Sequence, residues 1–127
     1  MDQKAGRIYR ITRRTDIQRV FDAGVSVRDR ILTIVAAPND LPHARCGVGV
    51  SKRHGSAVRR NRVKRLCREA FRLSRAAVPA GWDYMILPRP GARLTLAELR
   101  ASLVTLAKRI VPSDRAAGGP VPQEPPP

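Results

Sequence analysis

The stretch that decides the fold is residues 51–75, SKRHGSAVRRNRVKRLCREAFRLSR, which carries ten Lys or Arg residues and a single acid, Glu69. At 100° per residue it reads as one amphipathic helix. With Val63 at the centre of the apolar face, Leu66, Cys67, Ala70 and Ser74 fall within about 60° of it, and Phe71 and Leu73 lie at its margins. Asn61, Arg65, Arg68 and Arg72 take the opposite side, with Lys64 and Arg75 beside them. Such a helix docks by its Val63/Cys67/Ala70 face and offers a continuous cationic face outward. A merely solvated face mixes signs, because opposite charges at i, i+4 stabilise and like charges repel. Here Lys64/Arg68, Arg65/Arg68 and Arg68/Arg72 are all like pairs, at a summed cost on the order of 1 kcal/mol. A partner dense in phosphate removes that cost. The loop Lys52-Arg53-His54-Gly55 and the helix N-terminus, capped by Ser56, extend the same anion-binding surface.

Working outward, the residues upstream alternate with period two. Cys46, Val48 and Val50 take one face of a strand over 45–51, and Gly47, Gly49 and Ser51 take the other. A face of glycine and serine leaves room for a packed neighbour or for a ligand. Before it, Val25 and Val27 and then residues 31–37 are β-branched runs closed by Pro38-Asn39-Asp40, a short strand and a longer one. Thr15-Asp16-Ile17-Gln18 has capping-box form, Ile17, Val20 and Phe21 make an apolar stripe, and Gly24 is a stop. Downstream, Pro79-Ala80-Gly81 breaks the basic helix and residues 82–87, WDYMIL, form a strand, with Trp82 and Tyr84 in the core. Thr95-Leu96-Ala97-Glu98 then caps a helix with a Leu96, Leu99, Leu103, Leu106, Ile110 stripe.

The element order is α-β-β-β-α-β-α. It predicts an α+β fold: a single-domain, two-layer sandwich with a small, mostly antiparallel sheet and a helix crossover between parallel strands. Residues 1–11 read as a basic flexible arm, 12–111 as the folded domain, and 112–127, with six prolines, as a disordered tail.

The net charge is +15 over 127 residues, and Arg outnumbers Lys 21 to 4. Arginine's planar fork suits phosphate, although a GC-rich genome gives the same bias. No apolar run is long enough to span a bilayer, the first residues lack the apolar core of a secretory signal, and two cysteines without framework spacing suit a reducing compartment. A cytoplasmic protein is expected. A membrane-surface role fits poorly, because the apolar helix face is needed by the core.

The segments RCGVGVSK (45–52) and GSAVRRNRVKRLCR (55–68), followed by Asp83-Tyr84-Met85-Ile86, resemble the protein subunit of bacterial ribonuclease P, whose signature is the RNR motif, here Arg60-Asn61-Arg62 with Lys64, Arg65 and Arg68. The resemblance spans about residues 12–110 in element order. It implies that Arg60, Asn61, Arg62, Lys64, Arg65 and Arg68, with Lys52 and Arg53, bind the ribonuclease P RNA subunit. It also implies a cleft between the first helix and the sheet for the 5′ leader of precursor tRNA, floored here by Ile17, Phe21, Val35, Val48 and Val50. Ile17 and Val35 stand where many members carry aromatics. The RNA subunit would hold the active site and its Mg²⁺, with one protein per RNA, and the reaction would be hydrolytic removal of the leader.

The residues agree with a non-catalytic chain. The carboxylates are scattered, and His43, Cys46, His54 and Cys67 make a poor zinc set because both cysteines fall on apolar faces. The second reading, a structural RNA-binding protein of ribosomal or assembly type, shares the charge but not the dependence on a leader.

Overall fold

The computed structural model describes residues 7–91 and 93–111. Helix α1 (Arg14–Ala23) leads into β1 (Val25–Arg28), β2 (Leu32–Pro38) and β3 (Arg45–Val48). A 3₁₀ turn (Lys52–His54) precedes α2 (Ala57–Ser74), a second 3₁₀ turn (Arg75–Ala77) precedes β4 (Trp82–Pro88), and α3 (Leu96–Ile110) follows. The expected order holds. The strands form one sheet in the order β1-β2-β4-β3, with β1/β2 and β2/β4 antiparallel and β3/β4 parallel across the α2 crossover.

Alternation along β2 sends its side chains to two cores. Leu32, Ile34 and Ala36 join Tyr84, Ile86, Cys67, Ala70, Phe71 and the α3 leucines in the main core, beneath α2 and α3. Val35 and Ala37 join Met85, Ile11 and Val20 in a smaller core beneath α1 on the opposite face. The sandwich of sheet with α2 and α3 is as expected, and α1 lies across part of the sheet's other side. Trp82 and Tyr84 are buried, and the Tyr84 hydroxyl donates to Pro79 O at 2.7 Å.

The caps of α2 and α3 form as read. The Ser56 hydroxyl accepts from Arg59 N at 3.2 Å, and the Thr95 hydroxyl accepts from Glu98 N at 3.2 Å. The cap of α1 differs. The helix starts at Arg14, Arg13 makes no side-chain cap, and Gln18 donates to Asp22 at 2.9 Å instead of closing a box with Thr15. Gly24 ends α1 at φ −79°, outside the left-handed region. Glycine is needed there for space, since a Cβ would lie 2.2 Å from Val20 O and 2.7 Å from Val35 Cγ1.

The arm expected over residues 1–11 is shorter in its described part. Ile11 N donates to Cys46 O and Cys46 N donates to Tyr9 O, both at 2.9 Å, so residues 9–11 run along the outer edge of β3 and bury Ile11. The unpaired edge of a strand offers those hydrogen bonds to any extended neighbour. The expected tail, 112–127, lies outside the described residues, as does the arm's first half.

One carboxylate ties the two faces together. Asp83 on β4 is fully buried (0% exposed). Its Oδ1 accepts from Arg45 Nε (2.8 Å) and Asn39 Nδ2 (2.9 Å), and its Oδ2 accepts from the terminal nitrogens of Arg45 and Arg19 (2.6 Å each). Arg19 also reaches Pro38 O at 2.7 Å. The Asp83 bonds hold the Arg45 guanidinium above its ordinary pKa against the opposing effect of burial. Removing the acid takes the main acceptor from two partly exposed guanidiniums, leaving them only the looser approach of Asp16 at 3.6 and 3.9 Å. Asp83→Ala is expected to cost about 3–5 kcal/mol, read as a lower urea midpoint.

A second acid pins the β1–β2 turn. Asp29 Oδ1 accepts from Ile31 N and Leu32 N, each at 2.9 Å. Burial pushes this carboxyl up, but the Leu32 and Ile31 amides and the Ser102 hydroxyl outweigh it, so its pKa falls below the ordinary value. A depressed carboxylate stabilises the fold above its unfolded pKa of about 3.9, and that contribution fades as pH falls through the folded value. Asp29→Asn is therefore expected to lower stability at pH 7 and to narrow its gap from the parent below pH 4, measured by urea titration at both pH values.

Candidate nucleic-acid interface

Helix α2 buries Cys67, Ala70, Phe71 and Ser74, with Val63 and Leu66 half-buried against the main core. This is the docking face read from the sequence, rotated slightly so that Phe71 is inside and Leu73 is exposed. Asn61, Arg62, Arg65, Arg68 and Arg72 are exposed, and Arg60 and Lys64 are half-buried. Glu69 is spent on Arg72, through a paired contact at 2.9 and 2.6 Å. That leaves the Asn61/Arg65/Arg68 strip with no acid from its own helix. The Nε of Arg60 is shielded from solvent without an acceptor among the described residues, a costly state for a donor.

Lys52 and Arg53 are exposed on the 3₁₀ turn, where the Ser51 hydroxyl accepts from Arg53 N at 3.3 Å. Buried His54 fixes that turn to the end of β4, its Nε2 lying 2.8 Å from Pro88 O. The turn, the start of α2 and the exposed strip thus form one continuous basic surface.

Sequence reasoning missed Tyr9 and Arg10. Docking of residues 9–11 on β3 brings Arg10 close enough to Arg68 that partial burial and the Arg10 charge together hold the Arg68 guanidinium below its ordinary pKa. Arg75 stacks over the Tyr9 ring at 3.7 Å, a cation–π contact. The signal was available: Tyr9 and Ile11 flank Arg10 with strand periodicity.

The expected cleft residues divide. Val35 is buried in the core beneath α1, and Ile17 packs against it. Phe21 is 43% exposed on α1. Val48 was expected on the cleft floor and is not there, because strand alternation puts it with Cys46 on the α2 side. Val50 lies two residues beyond the strand end and is half-buried. Gly47 in β3 and Gly49 just beyond it lie on the side of the sheet that carries the smaller core. A Cβ there would come within 2.6 Å of Met85 Sδ or 2.8 Å of Leu87 Cδ2, so the glycines admit side chains leaning over from β4.

Among the described residues no three His, Cys, Asp or Glu side chains gather as a metal site. Burial raises both thiols, Cys46 and Cys67, to about 12, with nearby arginines opposing. Reactivity needs thiolate. Both thiols are therefore expected to resist a thiol-exchange reagent in the folded protein at pH 8 and to titrate fully in 6 M guanidinium; fast native labelling would contradict their placement.

A small α+β domain with an acid-poor cationic helix, set on a sheet and extended by a basic turn, is an RNA-binding class of protein. A sequence model described as Ribonuclease P matches residues 6–111. The ribonuclease P protein component of an Exiguobacterium species is 41% identical over 102 residues, which cover 80% of this chain and 89% of that one. The solved RNase P protein from Thermotoga maritima superposes with a TM-score of 0.72 at 31% identity, covering 80% of this chain and 96% of the other. A Staphylococcus aureus RNase P protein, a mutant with defective mRNA degradation activity, gives a TM-score of 0.74 at 31% identity over 84% and 92%. The chain belongs to the ribonuclease P protein family. Ribonuclease P is an endoribonuclease ribonucleoprotein of tRNA 5′ processing, and members of this family are its protein component. No helix among the described residues is long and apolar enough to cross a membrane.

Proposed function

We propose that the α2 surface grips the ribonuclease P RNA subunit through Arg60, Asn61, Arg62, Lys64, Arg65 and Arg68, with Lys52 and Arg53 extending the contact. The observation that carries this reading is the exposed, acid-poor strip of α2, the one acid beside it being committed to Arg72. Guanidiniums pair with phosphate through parallel N–H donors and release its counterions. Arg10 belongs to the same grip, beside Arg68.

The 5′ leader of precursor tRNA would run along the groove between α1 and the sheet, past Phe21, Ile17 and the Gly47/Gly49 strand face. Val35 lies beneath as packing, and Val48 is dropped from the floor. Aliphatic side chains at 17 and 35 offer no ring for base stacking, which is worth roughly 1–3 kcal/mol per base. Backbone and phosphate contacts then supply more of the leader's affinity than base stacking does. One protein per RNA in the cytoplasm completes the arrangement. The reaction is hydrolysis of the phosphodiester joining leader to tRNA, with Mg²⁺ supplying charge neutralisation. The interface residues of this chain are cations and one amide, with no carboxylate among them, and they do not fit that ion. It belongs with the RNA and substrate phosphates, while this chain holds and orients the two RNAs.

Affinity of the reconstituted enzyme for precursor and for mature tRNA tests the reading. Precursor is expected to bind more tightly only when the chain is present; equal affinities would overturn the leader role. Arg65→Ala and Arg68→Ala are each expected to weaken binding to the RNA subunit and to reduce the log–log salt slope by about one. An unchanged slope places that side chain outside the interface.

A further inference from the structure

We propose that the hollow between the 3₁₀ turn, the first turns of α2 and the loop after β4 seats one ribonucleotide of bound RNA, its phosphate on Arg53 and Arg59. This rests on the RNA-binding reading of α2 and adds a shaped pocket to what was a charged face.

The hollow encloses about 270 Å³ and is lined by Arg53, His54, Arg59, Val63, Gly91 and Leu94. That is just below the range of about 300–1,000 Å³ that holds drug-sized ligands, so its occupant is a small group such as one nucleotide. Its lining includes two guanidiniums and no carboxylate, which selects an anion. Gly55, at φ 108°, leaves room for the Arg59 stem, since a Cβ there would sit 3.1 Å from Arg59 Cδ. Val63 and Leu94 make an apolar wall, fixed because both pack against the main core. A flat ring can lie on that wall, whereas inorganic phosphate would leave it bare.

His54 supplies the third element. Its Nε2 faces the carbonyl oxygen of Pro88 at 2.8 Å, and a carbonyl only accepts, so Nε2 carries the hydrogen. Whenever the ring is uncharged, Nδ1 is then left as an acceptor, and no hydrogen bond engages Nδ1 among the described residues. The pocket therefore asks for an anion, a flat apolar face and a hydrogen-bond donor in one small group. A ribonucleotide has all three, in its phosphate, its base and its 2′-hydroxyl or exocyclic amine.

The test uses the full chain with Arg59→Gln or Leu94→Phe, in two arms: binding to a bacterial ribonuclease P RNA, and affinity of the reconstituted enzyme for precursor tRNA. Arg59→Gln is expected to weaken binding and reduce the salt slope by about one. Leu94→Phe, which fills the wall, is expected to weaken it about tenfold at unchanged slope and unchanged melting temperature. A loss in the first arm assigns the nucleotide to the RNA subunit, and a loss confined to the second assigns it to the precursor. A folded Leu94→Phe that binds like the parent in both arms overturns the pocket and leaves only general electrostatics. Arg59 is exposed on the helix surface, so a parental Arg59→Gln overturns the proposal however Leu94→Phe folds. Failure of the parent chain itself to bind the RNA subunit would instead refute the RNA-binding reading.

Discussion

The structure depends on one buried carboxylate. Asp83 sits on a central strand with 0% exposure and gathers Arg45 from β3, Asn39 from the turn after β2, and Arg19 from α1. An isolated charge at such a site is prohibitive, and two arginine forks with good geometry make it tolerable. The consequence is positional. β3, which leads into the basic turn, and α1, which walls the proposed leader groove, are both fixed to β4 through the same carboxylate. The spacing between the two proposed RNA-binding surfaces is therefore set inside the sheet.

The second constraint is charge. A net +15 over 127 residues raises the free energy of the compact state through self-repulsion. Around α2 this is concentrated, with Arg10 close enough to help hold the Arg68 guanidinium below its ordinary pKa. The acids are used elsewhere: Asp83 inside the sheet, Asp29 in a turn, Glu69 on Arg72. Where charge has been neutralised internally the surface is structural, and where it has not the surface is left for phosphate. A polyanion that binds only the folded form relieves such repulsion and stabilises that form by linkage.

The element order was legible because hydrophobic period and punctuation agreed along most of the chain. The β-branched run at 31–37, WDYMIL at 82–87 and the leucine stripe of α3 each had one reading. The basic face of α2 was legible for the same reason, since one side of the helix carried nearly all the apolar residues. Three things were not. The alternation of Tyr9 and Ile11 hinted at an extended segment, but its docking partner, the open edge of β3, follows only from the strand order β1-β2-β4-β3. The Asp83 cluster joins residues 38 and 64 positions apart, and a lone aspartate in an apolar strand does not announce its partners. Val48 was misplaced because the resemblance suggested a cleft floor while the alternation of β3 had already put Val48 with Cys46; the periodicity was the better guide.

In the proposed reading this chain holds RNA and leaves the chemistry to it. Its most direct test is the Mg²⁺ dependence of precursor tRNA cleavage by a bacterial ribonuclease P RNA, with and without the protein at fixed monovalent salt. Adding the chain is expected to move the Mg²⁺ midpoint to lower concentration, because fixed arginines replace part of the diffuse divalent charge that holds the RNAs together. The chain alone should cleave nothing. An unchanged midpoint with the chain demonstrably bound, or cleavage by the chain without RNA, would contradict it.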